Sequence, residues 1–382
     1  MRALLVYALL SQKHHDEALQ EAKKALELDP LCYFEREALG DVYFTLNEFE
    51  HAIAAWEEAL LRKNVSMAKL PDLSNLDTSS IHYKIGASSL PRKDVLDIHY
   101  KIGVAYVELA KHYRELPKRS AAFQKAVIYL ERAHDLYEGD HQQEKRAIHY
   151  FLGFLHFELG QYEEAISYLR IAKTQELMRL TSLFYLGWAY IKNKEYDAAL
   201  KQFGMLLSEA GTLEAQKISV GKLIEAESVG FMALGEILAM AYWGIAYTNA
   251  ERNTNLDDAL VDIGKAETYI ETLKHLNGSV KLHFPGNCPD CKGWIYYKQD
   301  KIDDAIVSLK QAVSQTTYPM VYLHLALAYE RKLQRSMGDS ALLYELRACC
   351  QHVRELDIRK EYEQQVNEIL QRHQKKVRSS RK

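Results

Sequence analysis

The sequence predicts an all-α, right-handed superhelical solenoid of about eight helix–turn–helix units, with irregular insertions. Three observations predict it. The first is a period. Gly153 and Gly187, Ala18 and Ala52, and Ala165 and Ala199 are each 34 residues apart, a spacing that belongs to stacked helix pairs. The second is a register. A small residue recurs at Gly40, Gly103, Gly153, Gly187, Gly244 and Gly293, with Ala326 in the same role, and a tyrosine or another large residue stands three on. Ala52, Ala126, Ala165, Ala199, Ala259 and Ala305 follow on a second helix. The third is the scarcity of breakers, with 7 prolines and 18 glycines in 382 residues, so most of the chain reads as ordered helix.

Residues 1–63 hold the first two units. Leu5 and Leu39, and Ala25 and Ala59, keep the spacing. Pro30 ends a helix because it cannot continue one and restricts the residue before it. The run ALLVYALL (3–10) has leucines in repeat phase and no cleavage site after it, so it reads as helix rather than as a secretory leader. Aligned on Ala18, Met1 falls at the third position of a repeat with no polar capping helix before it. The first unit therefore reads as truncated, and a segment upstream is expected.

Residues 64–95 read as an irregular insertion, with Pro71, Pro91 and the polar run SNLDTSS (74–80). IHYKIG occurs there at 81–86 and again at 98–103. Residues 96–207 carry units three to five, the third with a turn lengthened through 114–118. Residues 208–235 read as a helical insertion, since Leu213, Ile218, Leu223, Ile224 and Val229 have helical spacing. Unit six spans 236–271, a loop insertion with Asn277-Gly278 and Pro285-Gly286 spans 272–287, and units seven and eight span 288–357. Residues 358–382 read as a capping helix with Tyr362, Val366, Ile369 and Leu370 on one side. It ends in a basic tail of Lys375, Lys376, Arg378, Arg381 and Lys382.

The runs AKKALELDP (22–30), GDVYFTLNEFEHAIAAWEEAL (40–60), GFLHFELGQYEEAISYLRIA (153–172), GWAYIKNKEYDAALKQF (187–203) and GWIYYKQDKIDDAIVSLKQA (293–312) resemble the tetratricopeptide repeat. The resemblance covers roughly three quarters of the chain. It implies units of two antiparallel helices, in which the small residue lets the helices approach and large residues fill the gap beside it.

Composition narrows the function classes. The net charge is -3, with no basic excess to imply nucleic acid. No apolar run is long enough to span a membrane. Five cysteines without a framework of spacings point to a reducing, cytoplasmic compartment. The chain holds no GxxxxGK[ST], GxSxG or HExxH motif. Paired acids such as Glu163-Glu164 and Asp303-Asp304 open second helices and stabilise their N-termini rather than forming catalytic pairs. His149 and His156 are seven apart on one helix, about 10.5 Å of rise. They read as packing residues, with His99 equivalent to His149. Cys288-Pro289-Asp290-Cys291 is the single candidate for redox or metal chemistry. At a helix N-terminus a thiol pKa falls, and CxxC is half a zinc site. The second half is missing, so no catalytic residue, metal or cofactor is expected.

The resemblance implies that the first helix of each unit lines a concave surface. That places Tyr150, Phe154, Phe157, Phe184, Trp188, Trp294 and Tyr297 there, with Lys192 and Lys298 at the edge. Five of the aromatics come from units four and five, side by side. The implied function is a non-enzymatic interaction scaffold that binds a peptide or helix of a partner protein within a complex. Rivals are a peptide- or ligand-responsive regulator whose solenoid changes shape, and an accessory region of a larger enzyme.

Overall fold

The computed structural model describes residues 2–68, 92–113, 115–136, 142–174, 178–215, 234–277, 287–336, 339–357 and 360–379. These residues form 17 helices and no strand. The chain is an all-α solenoid of tandem antiparallel helix pairs, divided into two compact units, Met1–Ile171 and Ala172–Lys382. Unit 1 holds α1 (Arg2–Ser11), α2 (His15–Leu28), α3 (Tyr33–Thr45), α4 (Phe49–Ala68), α5 (Arg92–His112), α6 (Leu116–Asp135), α7 (Gln142–Glu158) and all but the last residue of α8 (Tyr162–Ala172). Unit 2 holds α9 (Arg179–Lys192), α10 (Tyr196–Ala215), α11 (Leu234–Arg252), α12 (Leu256–Asn277), α13 (Asn287–Lys298), α14 (Ile302–Val313), α15 (Pro319–Arg335), α16 (Ser340–Leu356) and α17 (Glu363–Ser379).

The pairs close through one recurring turn. Lys13, Asn47, Gly160, Lys194 and Asp300 each adopt a left-handed backbone, φ 60–79°, in the middle of a three-residue connection. The next amide then reaches back to the carbonyl five residues before it: Glu48 N to Tyr43 O, 2.9 Å, and Glu195 N to Tyr190 O, 2.8 Å. The bond satisfies a helix-end carbonyl that water would otherwise have to serve. At four of the five positions a lysine, asparagine or aspartate takes this conformation, so the turn is specified by its hydrogen bonds more than by glycine.

The repeat alanines are fully buried, Ala18, Ala52, Ala126, Ala165, Ala199, Ala259 and Ala305 all at 0% exposure. The small residue lies beside the alanine, since a Cβ on Gly103 or Gly293 would come 3.4 or 3.1 Å from the carbonyl oxygen of Ala126 or Ala305. Its nearest neighbour is the side chain one helical turn past the alanine, except at Gly244, which meets Phe203 of the preceding pair. A Cβ on Gly153 would lie 2.6 Å from Leu169 Cγ, and one on Gly187 2.6 Å from Phe203 Cζ. Gly103 meets Leu130, Gly293 meets Leu309 and Gly40 meets Trp56 in the same way. The reason is geometric: two helices crossing at the small pair leave a hole one turn on, and a large side chain fills it.

The third pair corrects a second expectation. Its connection is three residues like the others, and the extra length lies in the helices. After the small residue α5 runs to His112, where α9 stops five residues on. Before its alanine α6 starts ten residues back, where α10 starts three back. Pro117 sits in the first turn of α6, where the missing N–H costs nothing.

Helices also reach into the segments read as irregular, α4 to Ala68, α10 to Ala215 and α12 to Asn277. Residues 69–91, 216–233, 278–286 and 380–382 lie outside the described residues, and with them the first IHYKIG and most of each insertion. The side chains of Lys375, Lys376 and Arg378 also lie outside them. α17 packs Val366 and Ile369, 0 and 1% exposed, into the core formed by α14, α15 and α16.

Candidate functional site: the first-helix surface of unit 2

The first helices of unit 2 are α9, α11, α13 and α15. Their aromatic residues stack into one row. Phe184 and Trp188 of α9 lie 6.3 Å apart, and Trp188 meets Trp243 of α11 at 4.3 Å and Tyr247 at 5.1 Å. Tyr247 continues to His324 of α15 at 6.3 Å, and His324 stacks on Trp294 of α13 at 4.1 Å and 11°. Trp294 stacks on Tyr297 at 4.8 Å and 5°. Offset and edge contacts of this kind stabilise beyond the area they bury.

Three polar contacts lie behind the row, while the buried Trp188 Nε1 has no hydrogen-bond partner among the described residues. His324 Nδ1 is 2.8 Å from Asp290, both side chains at most 5% exposed. Trp294 Nε1 donates to Glu251 at 2.8 Å. Tyr247 donates to Met320 Sδ at 3.1 Å, and burial holds its hydroxyl well above the ordinary tyrosine range.

The row covers most of its own rings. Tyr150, Phe184, Trp188 and Trp294 are 4, 3, 5 and 7% exposed, because ring neighbours from adjacent first helices fill the space beside them. Phe154, Phe157 and Tyr297 are half-buried. Tyr150, Phe154 and Phe157 pack within unit 1, against Phe151, Phe123 and Tyr162. Of the expected five, three belong to unit 1 and two to unit 2, and within unit 2 the row joins Phe184, Trp188, Trp294 and Tyr297.

At the α13 end the surface opens. A depression of about 400 Å³ is lined by Asn253, Trp294, Tyr297, Lys298, Asp300 and Arg331. Lys298 Nζ stands 4.6 Å over the Trp294 ring and the Arg331 guanidinium 5.3 Å over the Tyr297 ring. Each cation is held by the ring quadrupole beneath it. A hydrogen bond to Tyr297 holds the Arg331 guanidinium further above its ordinary value. Arg331 and Arg335 both pair with Asp300, Arg331 at 3.6 Å. Asn253 and Asp300 are turn residues in the left-handed region, φ 57° and 64°.

Sequence reasoning missed Arg331, Asn253, Tyr247 and His324. A signal for Arg331 exists in the register. Five residues after the small residue stand Lys192, Asn249, Lys298 and Arg331 in unit 2, and Thr45, Glu108 and Glu158 in unit 1. The same repeat position is acidic at two of three places in unit 1 and cationic at three of four in unit 2.

Both thiols of the CxxC are buried, Cys291 fully and Cys288 at 5% exposure. Burial, then the neighbouring Asp290 carboxylate, pushes the Cys291 thiol well up. No group of three or more metal-ligating side chains occurs among the described residues, and the five cysteines are free thiols. His149 and His156 are buried packing residues, 6 and 7% exposed, and burial pushes His99 down to about 4.

This architecture, stacked helix pairs presenting their first helices, defines a helical-repeat interaction scaffold. The family model for the tetratricopeptide repeat matches residues 3–66 and 152–211. Those two stretches are tetratricopeptide repeats, and the other helix pairs of the described residues share their fold. Tetratricopeptide-repeat proteins generally serve in protein–protein interaction and are characteristically non-catalytic.

Among solved structures, the apo form of RapI is 12% identical with a TM-score of 0.54, over 99% of this chain and 98% of that one. Aspartyl phosphate phosphatase F from Bacillus subtilis is 15% identical with a TM-score of 0.47, over 100% and 93%. YrrB, described as a TPR protein with an unusual peptide-binding site, is 19% identical with a TM-score of 0.40, over 57% and 91%. At these identities the likeness is one of fold alone. No curated protein matches the chain. No helix among the described residues is long and apolar enough to cross a membrane.

Proposed function

We propose that the chain binds a segment of a partner protein on the first-helix surface of unit 2, anchored in the depression between α13 and α15. The observation that carries the reading is the pairing of two parallel rings with two cations there, Trp294 under Lys298 and Tyr297 beside Arg331. Rings give apolar area at low entropic cost, and a guanidinium can grip a carboxylate in two-point geometry. The partner segment is therefore acidic and carries an aromatic or aliphatic side chain next to the acid. The buried aromatics Phe184, Trp188 and Trp294 support the surface from behind, and Tyr297 contacts the partner. Five free thiols fit a reducing, cytoplasmic setting.

The test is a displayed library of random dodecapeptides selected on the full chain. Selected peptides are expected to be enriched in an acid beside an aromatic residue, and to lose about tenfold or more in affinity on Lys298→Ala/Arg331→Ala. Selection without acidic enrichment, or affinity indifferent to that double variant in a chain of unchanged circular dichroism, would remove the proposal.

A further inference from the structure

Lys192 stands at the register position of Lys298, at the end of α9, and something already sits on it. Its Nζ donates to Glu361 Oε1 at 2.7 Å and to the Tyr362 hydroxyl at 2.9 Å. The ammonium also lies 5.4 Å from the Tyr362 ring centroid. The contact joins residues about 170 positions apart in the chain, so local sequence does not bring it about. It is built from the other side as well. The Asp357 carboxylate accepts from the amides of Glu361 and Tyr362 at 3.0 and 2.6 Å, and Lys360 takes a left-handed backbone at φ 56°. A lysine in that conformation persists where its surroundings hold it. Asp357 thus holds Glu361 and Tyr362 in a knuckle that presents a carboxylate and a phenol together to Lys192.

The knuckle adjoins the anchor of α17: Tyr362 packs at the edge of the core that holds Val366 and Ile369, and its carbonyl accepts the Val366 amide at 3.0 Å. Further along, α17 is fixed by Ile369 in the core and by Arg372, which makes two bonds to Glu330 of α15 at 2.9 and 3.1 Å. His373 adds a third contact to Glu330 at 3.3 Å. Freeing Glu361 and Tyr362 costs the Val366 amide its partner and leaves the contacts of Ile369, Arg372 and His373 in place.

We infer that Lys192 is a recognition point for an acidic residue followed by tyrosine, and that the chain's own Glu361–Tyr362 occupies it in place of a partner segment of the same chemistry. The inference rests on the reading of unit 2 as the partner-binding surface, and adds a second anchor to it and a competitor built into the chain. Charge complementarity supports it: the position is cationic at three of four places in unit 2, and the occupant of Lys192 pairs an acid with an aromatic. Lys192 engages both groups at once, through its charge and its ring contact. A partner carrying that pair must displace the knuckle, so its apparent affinity is reduced by the fraction of chains in which Lys192 is held.

The probe is a fluorescent synthetic peptide of the chain's own residues 357–364, which keeps the Asp357 cap. It is titrated by anisotropy into the full wild-type chain, into Glu361→Gln/Tyr362→Phe, and into that variant with Lys192→Met. The opened variant is expected to bind about tenfold tighter than wild type, and Lys192→Met to abolish the gain. Equal binding to wild type and the opened variant, or a gain that survives Lys192→Met, overturns the inference.

Hydrogen exchange in the wild-type chain gives an independent readout. Excess peptide should speed exchange of the chain's own Tyr362 amide, and of the Val366 amide that bonds to the Tyr362 carbonyl, while Ile369 stays protected, and an unchanged Tyr362 rate also overturns it. Lys298→Ala/Arg331→Ala separates the two readings. A gain that persists there, beside library peptides that ignore the double variant, removes the depression and keeps the knuckle. The reverse pattern keeps the depression and removes the knuckle.

Discussion

Unit 1 and unit 2 use the same helix pair, yet they dispose of charge in opposite ways. In unit 1 the first-helix acids Glu37 and Asp41 of α3 are answered by Lys101 of α5, at 2.9 and 2.8 Å. Tyr7 of α1 donates to Asp41 at 3.0 Å, and Trp56 Nε1 to the same carboxylate at 3.1 Å. Glu158 pairs with Arg119 at 3.0 Å. These three acids of the first helices are thus paired within unit 1. In unit 2 the cations Lys298 and Arg331 stand over rings at the rim of a depression, and Lys192 is met by the far end of the chain. The difference teaches that the repeat constrains packing positions tightly and leaves the fifth residue after the small one free to carry specificity.

Packing separates the units too. Leu130 and Leu169 each fill one glycine's gap in unit 1, whereas Phe203 fills two, since a Cβ on Gly187 or on Gly244 would strike its ring. Phe203→Ala should therefore be the most damaging change, about 3–5 kcal/mol by the cavity it leaves, and more than Leu130→Ala at about 2–4. Urea unfolding followed by a probe in each unit checks this. Equal losses would break the contrast. Next in size, Lys101→Met should destabilise unit 1 by about 2–3 kcal/mol, because two half-buried carboxylates lose a charged hydrogen-bond partner. Unit 2 should keep its urea midpoint, and a shift there of the same size would mean that the units unfold as one.

The smallest effects concern glycines and differ in sign. Gly187→Ala should destabilise by about 1–3 kcal/mol through overpacking on Phe203. Gly204→Ala should stabilise by about 0.5–1 kcal/mol, because the position is helical and nothing lies within 4 Å of its Cβ. Both are read from the urea midpoint of unit 2. Destabilisation by Gly204→Ala would show that open space is not what distinguishes the two sites.

The period and the small–large–alanine register determined the helix pairs, their order and the buried alanines, because a 34-residue repeat reports which face of each helix meets its neighbours. The aromatics were legible as residues of the first helices, and their burial was not. Whether Trp188 is open or covered depends on Trp243 and Tyr247, which follow it by more than fifty residues across a segment that breaks the period. The side chain seated on each glycine was hidden for a related reason. The sequence marks which small residues recur, while the crossing of two helices decides that Leu169 or Phe203, one turn past the alanine, fills the gap. Tertiary structure alone decided the depression and the Lys192 contact, since both join residues whose separation in sequence carries no periodic signal. Packing faces repeat along the chain because every unit solves the same burial problem, and a binding site occurs once, where folding brings unlike positions together.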